Sequence, residues 1–116
     1  MSEFEKKAKN FFILGKIAEN LKMYSEAASN YFKSLSALND LALEKIGIRT
    51  SSHNQRFNLL KQNIPKLYDI TDKLFSVYRR TYTQSLNSEE LLRLRKNIEE
   101  AFEYAKIDIP DDKKIK

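Results

Sequence analysis

Apolar residues return every three or four positions along almost the whole chain, and no stretch holds the two-residue alternation of a half-buried strand. That spacing places each apolar set on one side of a helix, so several helical stripes must be buried against one another. With only two glycines and two prolines, the chain has little material for turns. The expected fold class is therefore all-α, an up-and-down bundle of four to five helices joined by short connections.

The first helix is expected from about Glu3 to Lys22, on Phe4, Ala8, Phe11, Phe12, Ile17, Ala18 and Leu21. Gly15 lies inside it and is expected to mark a close helix contact, because a mid-helix glycine is otherwise unfavourable by about 1 kcal/mol. The pattern resumes at Tyr24 and runs through Ala28, Tyr31, Phe32, Leu35, Leu38, Leu41 and Ala42 to Ile46, where Gly47 supplies a left-handed stop. Ser52 with Gln55 three positions later reads as a capping box for a short third helix through Phe57, Leu60 and Ile64, closed by Pro65. A fourth helix is expected from about Lys66 to Tyr82, on Leu67, Ile70, Leu74, Val77, Tyr78 and Tyr82. A fifth, capped by Asn87 and Ser88, carries Leu91, Leu94, Ile98, Ala101, Phe102 and Ala105. One domain over 1–106 with a charged tail over 107–116 is the implied organisation.

The second helix is apolar around more than one face, which suits either the centre of its own bundle or a surface shared with a second copy. Tyr24, Ala28, Tyr31, Leu35 and Leu38 are the residues expected at the interface of such a homodimer.

A chain of 116 residues has room for one ordinary domain. No apolar run reaches the length of a membrane span, and the N-terminal residues mix acids and bases where a signal segment would be apolar; a cytoplasmic protein with no membrane partner is expected. No cysteine and a single histidine leave no set of soft metal ligands, and there is no glycine-rich phosphate loop, so neither a metal nor a cofactor is expected. The formal charge of +5 permits a phosphate-bearing partner without requiring one.

Two places could carry chemistry. His53 stands at the start of the third helix with Arg56 one turn later, where an imidazole could move a proton or meet a phosphate; packing of the loop explains the same residue. Arg79 and Arg80, between Tyr78 and Tyr82, combine guanidiniums with phenol rings as single-stranded nucleic-acid sites do, although cations are also favoured at any helix C-terminus. The remaining aromatics of the second and fourth helices, among them Phe32, Tyr68 and Phe75, read as core or dimer interface. Arg93, Arg95 and Lys96 on the fifth helix, interleaved with acids, read as an exposed face.

Taken in order, Met23 to Ala28 with Tyr31 and Phe32 opening a long helix, then Gly47, Ser52, His53 and Phe57, then Tyr78, Arg79 and Arg80, then Ile98 and Ala101, resemble the HEPN domain family. The resemblance implies a helical bundle that dimerises side by side. It also implies a nucleotide or RNA ligand, and a place beside a minimal nucleotidyltransferase in toxin–antitoxin or defence pairs. Active members of that family cleave RNA with an Arg followed after four to six residues by His. Here those positions hold Gln84, Ser85 and Leu86 counted from Arg79, and Ser85, Leu86 and Asn87 counted from Arg80. No catalytic residue is therefore assigned, and nucleotide or RNA binding through His53, Arg56, Arg79, Arg80 and Tyr82 is the expectation. A structural protein–protein interaction module is the alternative, and a divergent metal-free ribonuclease using His53 the third. Tyr24 to Ala27 followed by Tyr31 and Phe32 also looks like half of a tetratricopeptide unit, but it occurs once, and a solenoid needs about three stacked repeats.

Overall fold

The computed structural model describes residues 2 to 110. It is all-helical: α1 (Glu3–Asn20), α2 (Tyr24–Lys45), α3 (His53–Asn63), α4 (Pro65–Arg80) and α5 (Ser88–Ala105). Among the described residues, no helix is long and apolar enough to cross a membrane.

The ends of these helices follow from local chemistry. Ser2 and Ser52 accept the backbone N–H of Glu5 and of Gln55, and Asn87 with Glu90 closes a full capping box on α5. In α3 the reciprocal half of the box slips by one residue, since the Gln55 side chain accepts from the backbone N–H of Ser51. Pro65 begins α4 rather than ending α3. Its missing N–H is no loss in a first turn, and Ile64 alone serves as the end of one helix and the start of the next.

Three helices finish with a left-handed residue, and in each the next N–H reaches back to a carbonyl five residues earlier: Met23 to Ala18, Ile48 to Leu43, Ile107 to Phe102. Gly47 takes that conformation as expected, whereas the other two positions hold lysines, Lys22 at φ 62 and Lys106 at φ 60.

The long second helix is central in its own bundle, packing on α1, α3, α4 and α5. That arrangement explains its apolar circumference without a second copy. Side-chain pairings set the directions. Gly15 lies on Tyr31 and Ala8 accepts from Ser34, so α1 runs antiparallel to α2. Asn39 donates to Thr71 and Phe32 stacks on Tyr78, so α4 also runs antiparallel to α2.

Phe12, Tyr31, Phe102, Leu35, Leu38, Leu43, Leu91, Leu94 and Ile98 fill the core with almost no exposure. Tyr31 carries a hydroxyl into it and donates to Glu19 at 2.6 Å, while Arg95 ion-pairs with the same carboxylate at 3.1 Å. Burial first, then the Glu19 hydrogen bond, pushes the phenol far above its ordinary range. Arg95 is thus part of a half-buried network across α1, α2 and α5, and departs from the exposed face expected of it.

Four of the five residues expected at a dimer seam are also placed otherwise. Ala28, Tyr31, Leu35 and Leu38 are fully buried inside one chain, and Tyr24 packs partly buried against the same core. Their surface is taken up by neighbouring helices and is not offered to a partner. Ile107 and Ile109, in the segment read as tail, pack against the core; the remainder of that segment, 111–116, lies outside the described residues.

Candidate functional site

Helix α4 turns roughly 100° per residue, and this sorts its side chains into three stripes. Leu67, Ile70, Thr71 and Leu74 face the core. Tyr68, Phe75, Tyr78 and Arg79 fall on a second stripe that adjoins α2 and α3. Lys73, Val77 and Arg80 fall on a third, which adjoins α5.

The second stripe builds a continuous series of rings. Tyr82 meets Tyr78 at 5.6 Å between centroids, Tyr78 stacks on Phe32 at 4.6 Å and 6°, and Phe32 meets Phe75 at 5.7 Å. Phe75 then stacks on His53 at 4.9 Å, His53 on Phe57 at 5.8 Å, and Phe57 meets Tyr68 at 4.8 Å. Phe32 is buried beneath the series, Tyr82 is 73% exposed at its end, and the rings between are partly open. Cations border it: the Arg79 guanidinium lies 5.3 Å from the Phe75 centroid and Lys61 Nζ 5.7 Å from that of Tyr68. At the Tyr82 end the series opens into a shallow groove of about 400 Å³ between the start of α2 and the end of α4, lined by Ser25, Glu26, Ser29, Asn30, Lys33 and Thr81, so that one carboxylate and one ammonium group share it.

The five residues expected to form one ligand site divide three ways. His53, Arg79 and Tyr82 lie on the ring series. Arg56 does not point at it; Nε and Nη2 donate to the two carboxylate oxygens of Asp40 at 2.7 and 3.1 Å, and Thr50 donates to the same carboxylate. This fork, about four-fifths buried on both sides, ties α3 to α2. Arg80 leaves by the opposite stripe and pairs with Glu90 at 2.6 Å.

Electrostatics at the series favour neutral rings. Burial, and then the nearby Arg56 charge, hold the His53 imidazole below its ordinary pKa. Tyr78 and Tyr82 share a hydrogen bond of 2.9 Å, which raises the Tyr82 phenol. His53 and Arg79 both touch Phe75, and no group of three or more metal-ligating side chains occurs among the described residues.

Lys61, from α3, meets the series at Tyr68, and Lys33, from α2, lines the groove at its Tyr82 end; both are brought there only by tertiary packing, and no local pattern marks them. A second cavity, of about 330 Å³, lies between α4 and α5. A signal for that cavity exists in the i, i+4, i+7 spacing of Lys73, Val77 and Arg80, which repeats a face distinct from the core stripe. No protein-family model, no curated protein and no solved structure matches this chain.

Proposed function

We propose that the protein is a non-catalytic, HEPN-like binder of single-stranded RNA, with the ring series as the surface that receives it. The observation that carries this reading is the unbroken run of rings from Tyr82 to Tyr68 with Arg79 and Lys61 against it. Bases stack on such rings regardless of sequence, and the cations and the hydroxyl-lined groove at Tyr82 suit the sugar–phosphate backbone. A place in a toxin–antitoxin or defence pair with a minimal nucleotidyltransferase belongs to the same proposal and rests on the family resemblance alone. Binding of a labelled oligoribonucleotide across a salt titration tests the reading. Affinity should fall with salt and weaken by about tenfold in Arg79→Ala/Tyr82→Ala, where loss of one stacking ring and one cation is at stake. Affinity indifferent to both would reject it.

A second reading, a protein–protein module, is favoured by one feature. Leu14, Ile17 and Leu21 form an exposed apolar stripe along α1, continued by Met23. A stripe on one helix can face its own copy across a two-fold axis, which would move the expected homodimer from α2 to α1. Sedimentation of the wild type against Leu14→Lys/Leu21→Lys decides it: equal masses count against pairing there.

A further inference from the structure

The cavity between α4 and α5 lies between two ion pairs that cross from one helix to the other. Arg80 meets Glu90 at 2.6 Å where the helices are joined, and Lys66 meets Glu100 at 2.5 Å beyond the other end. That antiparallel register sets Lys73 of α4 level with the turn of α5 that carries Arg93, Lys96 and Asn97. Leu74 and Leu94, both buried, and the half-buried Val77 form an aliphatic floor, and no aromatic ring enters the lining. Glu90 is the one lining acid and is already engaged, by Arg80 and by the α5 capping box. Lys73 and Lys96 are exposed and have no ion-pair partner among the described residues, whereas Arg93 reaches a highly exposed Glu89 at 3.7 Å. Uncommitted positive charge therefore stands at one end of the floor and a closed ion pair at the other.

We propose that this cavity binds a free aliphatic carboxylate of medium chain length. The head group offers one oxygen to each of the Lys73 and Lys96 ammonium groups, and both hydrogen bonds are charge-assisted. The chain runs along Leu74, Val77 and Leu94 toward the Arg80–Glu90 pair and takes the aliphatic floor out of water. A bare anion would leave that floor uncovered, and a neutral chain would leave the two lysines unanswered. Length follows from the helix repeat: Lys73 to Arg80 is roughly 10 Å of helix axis, which an octanoate chain spans and a long-chain fatty acid overruns. The volume of about 330 Å³, at the lower end of small-molecule sites, agrees with a ligand of that size. The site is separate from the ring series and does not depend on the RNA reading.

Methyl NMR titration of the intact protein with octanoate, octanamide, acetate and dodecanoate, each below its micelle concentration, tests this. Octanoate is expected to shift the methyls of Leu74, Val77 and Leu94 and to bind at least about tenfold more tightly than acetate, which lacks the chain, or octanamide, which lacks the charge. Dodecanoate should gain nothing further, because the Arg80–Glu90 pair closes the groove. Lys73→Gln/Lys96→Gln removes both charges at exposed positions and should weaken octanoate by about tenfold while leaving octanamide unchanged. Equal binding of octanamide overturns the anionic head, and equal binding of acetate overturns the chain. A large gain with dodecanoate overturns the length, and a lysine variant that binds octanoate as the wild type does overturns the role of the two ammonium groups. Shifts at Leu14 and Leu21 on α1 in place of Leu74, Val77 and Leu94 overturn the location, and no binding of octanoate overturns the site.

Discussion

Arg79 and Arg80 are adjacent in the chain and serve different surfaces: the Arg79 guanidinium lies 5.3 Å from the Phe75 ring centroid, while Arg80 Nη2 meets Glu90 at 2.6 Å. Substituting each alone should separate them. Arg79→Ala should weaken oligoribonucleotide binding by about 1 kcal/mol and reduce the salt slope by about one, whereas Arg80→Ala should change it little. Equal losses in the two variants would mean that RNA covers both faces of α4.

Gly15 should tolerate no side chain. A Cβ there would lie 2.5 Å from Tyr31 Cδ1, and the ring has no room to retreat because it is fully buried and its hydroxyl is held by Glu19 at 2.6 Å. Gly15→Ala gains about 1 kcal/mol of helix propensity and should still destabilise the fold by roughly 1–3 kcal/mol through overpacking. Urea unfolding measures it; an unchanged midpoint would contradict the contact.

Lys22 and Lys106 adopt left-handed backbone that disfavours a Cβ. Glycine at either place should stabilise the fold by about 0.5–1 kcal/mol, additively because the two ends are independent. Thermal melts of the single and double variants check this, and a loss of stability in both singles would count against strain at these caps.

His53 should make stability depend on pH. Its pKa in the fold is lowered from 6.5, first by burial and then by Arg56, so the unfolded chain takes up a proton before the folded one does. The contribution is complete above 6.5 and is lost as pH falls from there through the lowered folded value. Urea midpoints between about pH 7.5 and 5.5 should decline in the wild type and flatten in His53→Gln; a decline that persists in the variant would place the titration elsewhere.

Asp40 and Arg56 form a two-point fork that is largely withdrawn from water. Asp40→Ala leaves a partly buried guanidinium unpaired and should lower stability by about 1–3 kcal/mol, yet leave oligoribonucleotide affinity within about twofold. A large change in affinity would return Arg56 to the binding surface.

Much of the candidate site was visible as residue types but not as an arrangement. Tyr78, Arg79 and Tyr82 share a helix, so their common face follows from the helical repeat. Phe32 and His53 reach that face from α2 and α3, and their stacking on Tyr78 and Phe75 depends on how three helices cross. Arg56 looks like a ligand cation in the chain because Asp40 is sixteen residues away, and nothing in the local pattern pairs them.

The sequence by itself determined the five helices and several of their ends. Apolar spacing, Ser52 and Asn87 as caps, and Gly47 as a stop all act within a turn or two of backbone. Only the tertiary structure decided that α2 is enclosed by its own neighbours, that Ala28, Tyr31, Leu35 and Leu38 are consumed inside one chain, and that Arg79 and Arg80 part company. The physical reason is range. Helical hydrogen bonds connect residues four apart, whereas burial and ion pairing depend on which faces meet, and that choice is made by the packing of the whole core.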